Sequence, residues 1–210
     1  MKPLILIGGG GHCKSVIDVA ESAGYRIAGI LDRPEEFGKK ILNYEVIGND
    51  GDIPKYVRSA EFIISVGYIR NPDLRIKLYD LVKRQGGQFA TLIASTAYVS
   101  RYASLDEGTV VMHHAFVNAE ATVGKNVILN TFSNIEHGSI VGDQCHISTG
   151  VMVNGDCKVG DNCFIGSGTV LYNGVSITDG VVVSAGSVVR RSISIKGVYS
   201  GNPAGLKIRG

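Results

Sequence analysis

Residues 129–156 read LNTFSNIEHGSIVGDQCHISTGVMVNGD, and an aliphatic residue stands at every sixth place: Leu129, Ile135, Val141, Ile147 and Val153. The register runs without a slip back through Val123, Val117, Val111, Leu105 and Val99 to Ile93. It runs forward through Val159, Ile165, Leu171, Ile177 and Val183 to Val189. Four residues after each of these positions, as far as Val183, comes a small or β-branched residue, Thr109, Ser133, Cys145, Cys157, Cys163 and Ser187 among them. No proline interrupts the chain between Pro72 and Pro203. A period of six belongs neither to an α-helix nor to a long strand. It is the signature of a parallel β-helix, in which three hexads close a triangular coil and successive coils stack. The aliphatic residues fill the prism, and the coils lie about 4.8 Å apart. On this reading Cys145, Cys157 and Cys163 are core residues rather than nucleophiles or metal ligands. Gly124, Gly142, Gly160 and Gly166, each directly after an aliphatic position, are expected to form the tight corners.

Ahead of the repeat, strand and helix signals alternate. Leu4–Ile7 predicts a strand, Gly8–Gly11 a turn, and His12–Ala23 a helix ended by Gly24; Arg26–Leu31 predicts a second strand that closes on Asp32. Residues 33–52 read as irregular, Lys55–Arg58 as a short helix and Phe62–Val66 as a third strand. Asn71-Pro72 opens a helix to about Gln85, and Phe89–Ile93 reads as a fourth strand. The expected fold is α/β plus all-β: a small Rossmann-like parallel sheet over residues 1–92, then a β-helix over 93–210 with a basic tail.

Composition narrows the function. The 210 residues include 28 Gly and no Trp, with 44% hydrophobic and 19% charged residues, which excludes a disordered chain and an ordinary helical bundle. Residues 1–92 carry 13 basic and 11 acidic side chains, residues 93–188 carry 3 and 8, and residues 189–210 carry 5 and none. No segment is basic enough for nucleic acid; the tail fits one discrete anion, such as a cofactor phosphate, or a solvated surface. The apolar run in MKPLILIGGGGH is too short for a signal peptide or a membrane span, so a cytoplasmic chain is expected. Four cysteines without CxxC spacing predict thiols rather than disulfides or a zinc site.

The quoted stretch resembles the NeuD/PglD-like sugar acetyltransferases, a family of left-handed β-helix, hexapeptide-repeat enzymes. So do GGGGHCKS at 8–15, Leu31-Asp32 and the closing Gly201-Asn202-Pro203-Ala204. The resemblance implies an acetyl-CoA-dependent sugar N- or O-acetyltransferase of surface glycan biosynthesis, with no metal and no membrane insertion. It implies a homotrimer whose intersubunit grooves hold a sugar or nucleotide-sugar and the cosubstrate. His137 is then the general base. The bacillosamine branch has an acidic residue directly after this histidine, where this chain has Gly138; Glu136 or another neighbour takes that role, or the base is less activated. His146 is implied at the thioester and Asn130 at the acceptor group. Gly155, Ser167 and Ala185 are implied along the pantetheine arm, and Arg190, Arg191, Lys196, Lys207 and Arg209 near the CoA phosphates. In the N-terminal domain Gly10 and Gly11, at a helix start suited to anions, join His12, Asp32, Arg33, Gly67 and Tyr68 as the implied acceptor site. His113 and His114 match no family role and read as structural. His12 favours an amine on an amino sugar, whereas Glu136-His137-Gly138 favours a sialic-acid hydroxyl.

Three rivals are weaker. GGGGHCKS lacks the final glycine of a Walker A loop, because Cys13 stands there, and a dinucleotide fingerprint fails at the same residue. β-Helix carbonic anhydrases place two zinc-binding histidines five residues apart, a gap found nowhere among His113, His114, His137 and His146. A non-catalytic β-helix scaffold is the third.

Overall fold

Every aliphatic position of the register from Val99 to Val189 ends a two-residue strand, beginning with Tyr98–Val99 and finishing with Val188–Val189. The computed structural model describes residues 2–207, in two units, Met1–Ser95 and Thr96–Gly210; Arg209 lies outside the described residues. In the second unit each strand pairs in parallel with the strand 18 residues further on, as Phe116 with Asn134, Ile128 with His146 and Thr122 with Ile140. Three faces result. One carries Tyr98, Phe116, Asn134, Met152, Val170 and Val188 outward, the second Ser104, Thr122, Ile140, Lys158 and Ser176, the third Val110, Ile128, His146, Phe164 and Val182. The inward residues Val117, Leu129, Ile135, Ile147, Val153, Ile165 and Leu171 are wholly buried, each contributing roughly 1.5–3 kcal/mol of transfer free energy. Cys145, Cys157 and Cys163 are buried in this core, their thiols donating to the carbonyls of Gly160 (3.0 Å), Tyr172 (3.0 Å) and Thr178 (3.2 Å). Burial pushes the Cys145 thiol well up.

The corners differ from the sequence expectation. Left-handed φ occurs three residues after each aliphatic position, at every sixth residue from Gly108 to Gly186. Half of these fourteen places are glycine. The rest are His114, Glu120, Asn126, Phe132, Gln144, Asp156 and Asn162, at φ of 52–62°. Gly124, Gly142 and Gly160 are needed for a different reason. A Cβ there would lie 2.2–2.3 Å from an Oδ1 of Asp143, Asp161 or Asp179. Those three carboxylates accept the backbone N–H of Lys125, Asp143 and Asp161, one coil back, at 2.8–2.9 Å. At Gly166 the obstacle is the Ala185 nitrogen at 2.5 Å. These glycines make room for the next coil rather than for a turn.

In the first unit β1 (Leu4–Ile7), β2 (Ile27–Leu31), β3 (Lys40–Ile41), β4 (Tyr44–Gly48) and β5 (Glu61–Ile64) form a sheet of order β3-β4-β2-β1-β5. Helix α1 (Gly11–Ser22) joins β1 to β2, α2 (Ile53–Tyr56) lies between β4 and β5, and α3 (Asp73–Arg84) follows β5. Only the β3–β4 pair is antiparallel. That hairpin falls where the sequence read as irregular: in β4 only Val46 and Gly48 are buried, and Leu42 takes φ +52 without a glycine to announce the turn. The fourth predicted strand is not continuous. Phe89 makes one parallel bridge to Phe62, and Leu92–Ile93 is a separate two-residue strand. Arg75 of α3 is wholly buried and donates through Nη1 to the carbonyls of Ile64 (3.0 Å) and Val66 (2.5 Å), tying α3 to the loop after β5. Burial lowers its pKa to about 10, so the guanidinium stays charged at neutral pH. Among the described residues no helix is long and apolar enough to cross a membrane.

Gly160→Ala is expected to cost about 1–3 kcal/mol through the clash with Asp179, seen as a lower midpoint in chemical denaturation. Asn162→Gly, at a left-handed corner, is expected to leave that midpoint almost unchanged.

Candidate active site

Stacking at 18 residues places Ala119, His137, Gly155, Asn173 and Arg191 in one column along the corner beside the face that bears Asn134 and Met152. His137 is exposed, and the Cε1–Nε2 edge of its imidazole lies against Gly155. A Cβ on Gly155 would be 2.6 Å from Cε1 and 2.7 Å from Nε2 of the ring. From the far side the Asn173 amide nitrogen reaches the same point at 3.3 Å. Gly155 thus leaves the space that the Cε1–Nε2 edge of the ring occupies. Asn173 was missed by the sequence reading, although its spacing of two coils from His137 was the available signal.

Glu136 is held elsewhere. Its Oε1 accepts from the Asn134 amide at 3.0 Å and its Oε2 from the Asn118 amide at 2.6 Å. The two amides, Asn134 foremost, hold its carboxyl below the usual range, so it stays ionised. Both oxygens are occupied by these amides rather than by the imidazole. Glu136 therefore supplies negative potential near His137 without fixing the ring.

Asn130 and His146 meet, Nδ2 to Nε2 at 3.2 Å, and the His146 ring packs edge-on against Phe164 at 5.2 Å. His146 is only 7% exposed, so its Nε2 faces the Asn130 amide rather than open solvent. Ser167 and Ala185 are exposed, one coil apart on the next corner, with Ser167 Oγ 2.9 Å from Ser148 Oγ. The Arg190 guanidinium stacks 5.6 Å above the Tyr172 ring, while Arg191, Lys196 and Lys207 are exposed. His113 bonds Thr96 Oγ1 through Nδ1 at 2.8 Å, and His114 stacks on the exposed Phe132 ring at 5.0 Å, contacts between neighbouring coils at the surface.

The first unit holds a separate cavity of about 300 Å³ at the carboxyl ends of β1 and β2. Leu31, Val66, Leu74 and Leu78 line it on one side, and Asp32, Arg33, Asn49 and Asp50 give it a polar rim. Asp32 accepts the N–H of Gly9 at 2.9 Å and of Arg33 at 2.8 Å, which locks the glycine loop against the end of β2. Gly9 has no room for a Cβ, which would lie 2.4 Å from Asp32 Oδ2. Gly10 and Gly11 are open and exposed, and no side chain caps the start of α1. The ring of His12 lies against Gly67, 3.3 Å from a Cβ placed there. Arg33 pairs with Glu35 (3.4 Å) and Glu36 (3.5 Å) at the surface. Asn49 and Asp50 were hidden in the stretch read as irregular; burial raises the Asp50 carboxyl.

The model of the PglD N-terminal domain matches residues 3–82, and that of the bacterial transferase hexapeptide (six repeats) matches residues 156–191. By these two matches the chain is similar to the NeuD/PglD-like acetyltransferases. Two solved structures agree with it along nearly its whole length. PerB from Caulobacter crescentus, in complex with CoA and GDP-perosamine, shares 29% identity over 99% of this chain and 98% of its own, with a TM-score of 0.91. The acetyltransferase domain of PglB from Neisseria gonorrhoeae, in complex with acetyl coenzyme A, shares 27% over 98% and 99%, with a TM-score of 0.90. No curated protein sequence matches the chain. The cavity lies in the unit matched by the PglD N-terminal domain, and His137 in the unit of hexapeptide repeats.

The depressed Glu136 carboxyl stabilises the fold above the ordinary carboxylate pKa of 4.5, and that contribution is lost as pH falls through the lower folded value. Glu136→Gln is therefore expected to cost about 1 kcal/mol at pH 7. Denaturation curves of mutant and parent should converge in strong acid.

Proposed function

We propose that this chain transfers the acetyl group of acetyl-CoA to the amine of a nucleotide-linked amino sugar, with His137 as general base. The observation that carries the reading is the His137 ring, exposed and unencumbered over Gly155, with the ionised Glu136 beside it. An exposed imidazole can take a proton from an attacking amine. The amine nitrogen forms its bond to the thioester carbonyl carbon while His137 Nε2 accepts the proton. The carbon–sulfur bond then breaks, and the proton returns to the leaving CoA thiolate. No acyl-enzyme is required, in keeping with buried cysteines. The Asn173 amide, over the same glycine as Nε2, is placed to donate to a polar group of the bound substrates.

The nucleotide part of the acceptor is assigned to the first unit. There the Asp32 carboxylate suits a ribose or base donor, and the open start of α1 suits a phosphate. CoA and GDP-perosamine bound to PerB support both assignments. They favour the amine over the hydroxyl of a sialic acid, which Gly138 alone would suggest. Ser167 and Ala185 would line the pantetheine arm, His146 and Asn130 the reacting groups, and Arg190, with its neighbours, the CoA phosphates. The outward face bearing Tyr98, Phe116, Asn134, Met152, Val170 and Val188 is largely apolar, with Tyr98 and Phe116 exposed and stacked at 5.0 Å; a homotrimer would bury it beside His137. A cytoplasmic site fits two substrates made there, and surface glycan assembly fits the product.

CoA release, followed by thiol titration against GDP- and UDP-linked amino sugars and free sialic acids, should be fastest with a nucleotide-linked amine. His137→Ala should lower kcat by about 10²–10⁴ with an unchanged melting temperature. Full activity in that variant would refute the base, and acetylation of sialic acid alone would refute the acceptor.

A further inference from the structure

We propose that Asp156, from the coil after His137, supplies the carboxylate that orients the His137 imidazole. The inference rests on His137 being the base. Two side chains enter one gap between coils from opposite sides. The His137 ring leans forward over Gly155, whereas the Asp156 carboxylate leans back over Gly138, its Oδ1 lying 2.4 Å from where a Cβ on Gly138 would stand. The coils are spaced at about 4.8 Å, and the Asp156 N–H donates to the His137 carbonyl at 3.0 Å, so the two residues keep this register.

A side chain at 138 would displace the carboxylate. An acid directly after the histidine and an aspartate at 156 are therefore alternative solutions, and this chain has the second. The other nearby acids are accounted for. Glu136 has both oxygens on Asn134 and Asn118. Glu120, one coil earlier in the same left-handed column, comes no nearer than 4.0 Å to the Gly138 position. Arg191 stands three coils along the His137 column, and Asn173 between them is neutral. Accepting the Nδ1–H fixes the tautomer that leaves Nε2 free for the acceptor proton and stabilises the imidazolium that forms. The contact closes as substrates bind, as catalytic hydrogen bonds commonly do.

Asp156 has φ +60, which both asparagine and glycine accept, so two variants should fold normally. Asp156→Asn keeps an acceptor and removes the charge. The acid limb of its kcat/KM profile should move to lower pH and kcat should fall about 10-fold, with the KM for acetyl-CoA unchanged. Asp156→Gly removes both, and ¹⁵N spectra of the neutral His137 ring in the presence of CoA should lose the Nδ1–H tautomer. Asp156→Glu should recover part of kcat. An unchanged tautomer in Asp156→Gly, or a pH profile that moves only in Glu136→Gln, would overturn the assignment. The ring spectra report on Asp156 whether or not His137 proves to be the base, so the two failures are distinguishable.

Discussion

Backbone pairing between residue i and residue i+18 is the constraint on which the rest of the β-helix unit depends. Each two-residue strand is too short to persist alone and is held by its neighbours above and below. The aliphatic register supplies the matching interior. Because every coil repeats the same three corners, any residue type introduced at one corner meets its column neighbours at strand spacing. Chemistry on such a surface is organised along columns, not along the sequence.

This explains why the site is made of residues that look unrelated in the chain. Gly155 matters because the His137 ring occupies the space a side chain there would fill. Asp156 and Gly138 divide one space between them. Glu136, adjacent to His137 in sequence, points its carboxylate at Asn134 on the strand before it and at Asn118 one coil back. The ladder of Asp143, Asp161 and Asp179 is the structural counterpart: equally regular, equally charged, and spent on backbone N–H groups rather than on a ligand.

The first unit follows other rules. Its cavity gathers at strand ends, where backbone N–H groups of the glycine loop and the Asp32 carboxylate converge. Asp32 was legible because it closes a clear aliphatic strand. Asn49 and Asp50 were not, since β4 buries too few side chains to announce itself. The four-glycine loop likewise divides by role: Gly9 is fixed by its contact with Asp32, while Gly10 and Gly11 keep the helix start open.

The register of six determined, from sequence alone, that a parallel β-helix follows an α/β unit. It also placed three cysteines in the core, because an unbroken aliphatic period has only one way to be buried. The histidine was legible through its resemblance to a family motif. Only the tertiary structure decided which neighbours each side chain has across a coil. The corner glycines turned out to be of two kinds, one tolerating positive φ and one making way for the next coil's carboxylate. Sequence spacing fixes the column in which a residue stands. Whether its side chain leans forward, as His137 does, or back, as Asp156 does, depends on the space its stacked neighbours leave.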